Sequence, residues 1–163
     1  MTSDPDWEQR IAELWDAIDE FEPAEFRARV EALAAELPGG AAIAAFEGAC
    51  ANDFTGRPQE AAPLYREALA AGLTGIRRRR AVIQLSSTLR NLGHPDESVA
   101  LLRAEREEAS DELDDAVVAV LALALADSGR EREAAGLAIG ALARHLPRYN
   151  RSMAAYAEEL SGR

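Results

Sequence analysis

Three short segments of this chain repeat one another. Gly56-Arg57-Pro58-Gln59-Glu60-Ala61 is echoed by Gly93-His94-Pro95-Asp96-Glu97-Ser98, and again by Gly129-Arg130-Glu131-Arg132-Glu133-Ala134. The glycines stand 37 and 36 residues apart. A fixed period in this range means that one supersecondary unit is copied along the chain and leans on its neighbours for a core. Each segment has the chemistry of a corner between two helices. Glycine takes the left-handed conformation that ends a helix. Pro58 and Pro95 suit the first turn of the next helix, where no backbone donor is needed. The acidic residues beside them favour the positive end of the helix dipole.

Between the corners, apolar residues recur at helical spacing. Ile11, Leu14, Trp15 and Ile18 form one stripe, and Phe26, Val30, Leu33 and Leu37 the next. No stretch alternates as a strand does, and the 35 alanines raise helix propensity throughout. The spacing predicts nine helices, near 5–19, 23–37, 41–55, 58–71, 75–92, 95–109, 112–128, 131–146 and 148–160. Asp4 and Thr74 are the expected caps, Gly72 and Pro147 the expected stops. The chain reads as all-α and as one domain over 1–163: a helix pair at 1–38, three repeats over 40–146 and a last helix within 147–163.

The second helix of each repeat resembles the tetratricopeptide repeat family. Five positions after each corner glycine stands a small residue, Ala61, Ser98 or Ala134. Four further on come Tyr65, Leu102 and Ala138, and three beyond those Ala68, Glu105 and Ala141. This is similar to the family's small–bulky–small pattern, with Glu105 and Ala138 departing from it. The run Val82 to Gly93 is similar to a bacterial branch of the same family. The resemblance implies a right-handed α-solenoid with a concave binding surface. On the first helices it implies that Ala49 and Asn52, Ser86 and Leu89, and Ala122 and Leu125 meet their partner helix. The 5–37 hairpin resembles a degenerate repeat, with Phe26 in a small residue's place, and reads as a cap. Met153, Tyr156, Ala157 and Leu160 are the expected inward face of the last helix.

Charge and composition exclude several functions. The net charge of -11 opposes binding to nucleic acid or to an anionic membrane. With 18 arginines and no lysine there is no Schiff-base or phosphate-loop lysine. Residues 1–10 lack the basic and apolar regions of a secretory signal, and no apolar run reaches the roughly 20 residues of a membrane span. A cytoplasmic protein is expected. The single Cys50 reads as a buried small hydrophobe. His94 and His145 have no second ligand at metal-binding spacing, so neither a metal nor a cofactor is expected. Paired carboxylates such as Glu107-Glu108 read as solvated surface, and no nucleophile–base pair is visible.

Arg77-Arg78-Arg79-Arg80 is the outlier in this acidic chain. Four consecutive residues sweep round a helix, so they cannot act as one patch. Arg77, Arg80, Gln84, Ser87, Arg90 and Asn91 share a stripe at spacings of three and four. The family resemblance places that stripe in the groove. Phe46, Cys50 and Asp53 of the preceding repeat, with Phe54 at the margin, should then face it. Guanidinium groups grip carboxylates with two prongs, and Gln or Asn satisfies an extended backbone. The stripe therefore suggests a protein or peptide partner with an acidic segment or a free carboxylate. The competing explanation is internal pairing of these arginines with the chain's own acids; Arg78 and Arg79 in particular should turn toward residues such as Glu67 or Asp114. A second expectation is a self-associating, dimeric scaffold, with Trp7 and Trp15 either sealing the first helix pair or marking the dimer face. An enzyme with a groove site built on Asp53, Arg80 and Arg90 is the third.

Overall fold

A computed structural model describes residues 4–37, 39–108 and 110–162. Among them every regular element is helical: α1 (Pro5–Asp16), a 3-10 turn (Ile18–Glu20), α2 (Pro23–Ala34), α3 (Ala41–Phe54), α4 (Pro58–Ala70), α5 (Gly75–Asn91), α6 (Pro95–Glu108), α7 (Asp114–Asp127), α8 (Glu131–Ala143) and α9 (Asn150–Leu160). The expected ends at residues 1, 38, 109 and 163 lie outside the described residues.

The three corners share one geometry. Gly56, Gly93 and Gly129 have φ of 77°, 86° and 73°. After each, the next backbone N–H reaches back five residues: Arg57 to Asn52 at 2.8 Å, His94 to Leu89 at 2.9 Å, Arg130 to Leu125 at 2.9 Å. These bonds satisfy carbonyls that the helix end would leave open. Pro58 and Pro95 then begin α4 and α6. Asp4 caps α1 by accepting the Asp6 N–H at 3.0 Å.

Contacts group the chain into two compact units that meet between Thr88 and Leu89, inside α5. In the first unit α2 packs on α1 and α3, and α3 on α4. Trp7, Ile11, Phe26, Val30 and Ala51 form one core cluster, with Leu14, Trp15 and Phe21 against it. Both tryptophans are satisfied within it. Trp7 Nε1 donates to the Leu33 carbonyl at 2.8 Å and Trp15 Nε1 to Glu47 Oε2 at 2.9 Å. Trp15 also meets Phe26 edge-on, with ring centroids 4.9 Å apart. These rings pack within the first helix pair. Tyr65 and Phe46 pack with ring centroids 6.3 Å apart, and Ala49, Ala61 and Ala68 of the same two helices are buried.

In the second unit α6 packs on α7, α7 on α8, and α8 on α9. Leu102, Val117, Leu121 and Leu125 are fully buried, and Ser98 and Ala134 occupy the small positions. Leu89 and Ala122 are buried as the repeat pattern implies. Glu105 is buried too, where the pattern has a small residue. Two expectations are corrected here. Ala138 is exposed rather than packed; the close approach on α8 is made instead by Gly136. A Cβ there would lie 2.8 Å from the Ala157 carbonyl oxygen and 2.9 Å from the Ser161 nitrogen. Tyr156 is also exposed, so α9 turns Ala157, with Met153 and Leu160 half-buried beside it, toward α8. His145 lies beyond the end of α8, and its Nε2 is 2.9 Å from Asp115 Oδ2. His145 and Arg144 together hold the Asp115 carboxyl below the usual carboxylate range.

Candidate functional site

The arginine run on α5 is divided by the helix that carries it. Arg79 is buried at 3% exposure, Arg80 is exposed, and Arg77 and Arg78 lie between these limits. The burial of Arg79 fits the expectation that it turns away from the stripe. Arg77 departs from its expected place as a binding residue. Its Nη1 and Nη2 donate to Glu8 Oε1 and Oε2 at 2.8 and 2.6 Å, and its Nε donates to Glu47 Oε1 at 3.2 Å. Glu47 is buried and already accepts the Trp15 indole. Arg77 is therefore a strut joining α5 to α1 and α3. Glu8, foremost, and Glu47 hold its proton more firmly than usual.

Along the seam between α3 and α5, the stripe meets the residues of the preceding repeat. The Arg80 guanidinium lies 5.3 Å from the centre of the Phe46 ring, a cation–π distance. Cys50 Sγ donates to Gln84 Oε1 at 3.1 Å. Thr88 Oγ1 and the Tyr65 hydroxyl donate to Asp53 Oδ2 at 2.9 and 3.3 Å. The hydrogen-bonded partners stand 34 and 35 residues apart, close to the 37 residues between Gly56 and Gly93.

This seam corrects the role expected of one groove residue. Phe46 has no exposed surface, so its ring is core and offers a partner nothing. The exposed aromatic on α3 is Phe54, one turn beyond Cys50 and 68% accessible, with its ring edge-on to Trp15 at 5.6 Å. Asp53 is half-buried, and burial raises its carboxyl above the ordinary range. Burial likewise pushes the Cys50 thiol up to about 12, which favours its protonated form.

Of the stripe's residues in the first unit, Arg80 is open to solvent, and Gln84 and Ser87 are half-buried. Among the described residues Arg80 has no carboxylate partner. In the second unit Arg90 Nη1 lies 3.3 Å from Asp127 Oδ2 while its Nε is buried without a partner, and Asn91 is exposed. Among the described residues no three His, Cys, Asp or Glu side chains come together as a metal site. Nor is any helix among them long and apolar enough to cross a membrane.

A family model described as "Tetratrico peptide repeat" matches residues 42–160. The chain belongs to the tetratricopeptide repeat family. The match covers all three corners and α9, so the last helix falls within the repeat pattern as well as at its end. Tetratricopeptide repeats generally serve as protein-interaction modules and are generally non-catalytic. No curated protein and no solved structure matches the chain.

Sequence reasoning named Arg80, Gln84 and Ser87 by their helical spacing. It could not separate Arg77 from them, because the partners Glu8 and Glu47 lie 69 and 30 residues away in sequence. Phe54 stood only at the margin of that reading. Its signal was its spacing of four from Cys50, which says which face it shares but not which aromatic is left uncovered.

Proposed function

We propose that this tetratricopeptide repeat chain is a non-catalytic interaction module. It takes a peptide or helix bearing a carboxylate on the α5 face that holds Arg80, Gln84 and Ser87, with Phe54 as the exposed aromatic at the end of α3. What supports the reading is Arg80 itself: an exposed arginine, 5.3 Å from the centre of the Phe46 ring, without an acidic partner among the described residues in a chain of net charge -11. A cation fixed against an aromatic face keeps its outer edge free for two parallel hydrogen bonds to a carboxylate. Gln84 accepts the Cys50 thiol through its carbonyl oxygen, which leaves its NH2 group to meet a partner's backbone carbonyl. Arg90 and Asn91 extend the same helix toward its C-terminal end.

An array of peptides differing in acidity, and ending in either a free carboxylate or an amide, tests the proposal. The wild type should retain the acidic or carboxylate-ended peptides. Arg80→Ala should weaken that retention about tenfold, the effect of one charge-assisted pair, with unchanged circular dichroism and melting temperature. Retention unaffected by Arg80→Ala overturns the assignment of this face, and a collapse of the fold makes Arg80 structural.

A further inference from the structure

A cleft of about 1180 Å³ opens within the first unit, lined by the start of α1, the connection from α2 to α3 and the connection from α4 to α5. It exceeds the roughly 300–1,000 Å³ of a small-molecule pocket and has room for a stretch of peptide. Leu37, Ile43 and Leu73 supply apolar lining, together with Ile76, which is 44% exposed. An aliphatic side chain left in water gains from being covered.

The same cleft is lined by Asp4, Asp6, Glu8 and Glu36, against Arg10 and Arg77. Four carboxylates against two guanidiniums leave a surplus of two negative charges. Both guanidiniums are already held with two prongs. Arg10 donates to Glu36 at 2.7 Å through each Nη, and Arg77 donates to Glu8 at 2.8 and 2.6 Å. The surplus therefore falls on Asp4 and Asp6. Asp4 is exposed, and the Asp6 side chain is 77% exposed and 3.8 Å from Arg10 Nη1. None of Arg80, Gln84 and Ser87 lines this cleft.

We infer that the cleft takes a basic segment of a partner protein, in which lysine or arginine stands beside an aliphatic side chain. The cation meets Asp4 and Asp6, and the aliphatic group covers Ile76. An apolar or acidic occupant would strip water from the two carboxylates and return no partner charge. The net charge of -11 draws a basic segment in from a distance.

Short labelled peptides with leucine between two lysines, titrated into the wild type and followed by fluorescence anisotropy, test this. They should bind at least about tenfold more tightly than matched peptides with glutamine for lysine or serine for leucine, the effect of one charge-assisted pair or one covered aliphatic group. Asp4→Asn combined with Asp6→Asn should remove most of the preference for lysine while keeping the α1 cap, since asparagine caps as well as aspartate. Ile76→Ser should remove the preference for leucine. Lysine and glutamine peptides binding equally to the wild type overturns the inference, whether or not the variants fold. So does a lysine preference that survives in the folded Asp4→Asn, Asp6→Asn protein. A linear polyamine that displaces the peptide at equal concentration gives the cleft to a small cation and overturns the peptide occupant. The Arg80 proposal selects acidic peptides, so Arg80→Ala should leave lysine peptides bound as before, and either reading can fail without the other.

Discussion

Arg77 and Arg80 are the same residue three positions apart on one helix, and their surroundings give them opposite roles. Arg77 neutralises Glu47, which is 4% exposed, and bridges to Glu8. Arg80 rests on a ring and faces water. Removing one partner of a buried pair leaves the other charge desolvated, which costs far more than the pair itself contributes. Arg77→Ala should therefore destabilise the fold by about 3 kcal/mol, at the low end for such deletions because Glu47 keeps the Trp15 hydrogen bond. Arg80→Ala should lie within about 0.5 kcal/mol of wild type, as surface changes do. Chemical denaturation of the two variants separates them, and equal losses would make Arg80 a structural residue. The sequence placed both on one stripe because helical spacing reports only direction; the acids that divide them arrive from α1 and α3.

α8 and α9 make the same point for whole elements. The corner at Gly129 and the helix start at Glu131 were legible because glycine and charge carry strong local preferences. Which side of α8 faces its neighbours was not, since an alanine-rich helix has little contrast between its faces. The repeat pattern therefore put Ala138 inside, whereas the contact is at Gly136 and Ala157. Two glycines on this helix give a sharp comparison. At position 140 a Cβ would be 3.5 Å from the Ala157 Cβ, an ordinary contact, while at 136 it meets backbone atoms of α9 at 2.8 and 2.9 Å. Gly140→Ala should raise stability by up to about 1 kcal/mol through helix propensity. Gly136→Ala should lower it by roughly 1–3 kcal/mol, the range for overpacking, by pushing α9 away. Thermal melts of both variants test this, and a shift of the same sign in both would refute the close approach.

Across the whole chain the balance of charge sets the response to salt. Exposed pairs such as Arg10–Glu36, Arg29–Glu25 and Arg57–Glu60 contribute little and are weakened by screening. Eleven uncompensated negative charges oppose compaction and are also screened. The excess should prevail, so raising sodium chloride from about 10 to about 150 mM should raise the melting temperature by a few degrees. A fall would mean that the arginine–carboxylate pairs outweigh the net charge. Sequence alone determined the helical class, the three corners and the elements within a few residues at each end. All of these follow from preferences between residues near in the chain: a left-handed glycine, a proline in the first turn, apolar residues one turn apart. Only the tertiary structure decided that Phe46 is core while Phe54 is open, that Arg77 is a strut, and that Tyr156 on α9 is exposed. Burial and ion pairing depend on side chains brought together from 30 or more residues away, and no local spacing encodes which of several equivalent residues the neighbouring helix will cover.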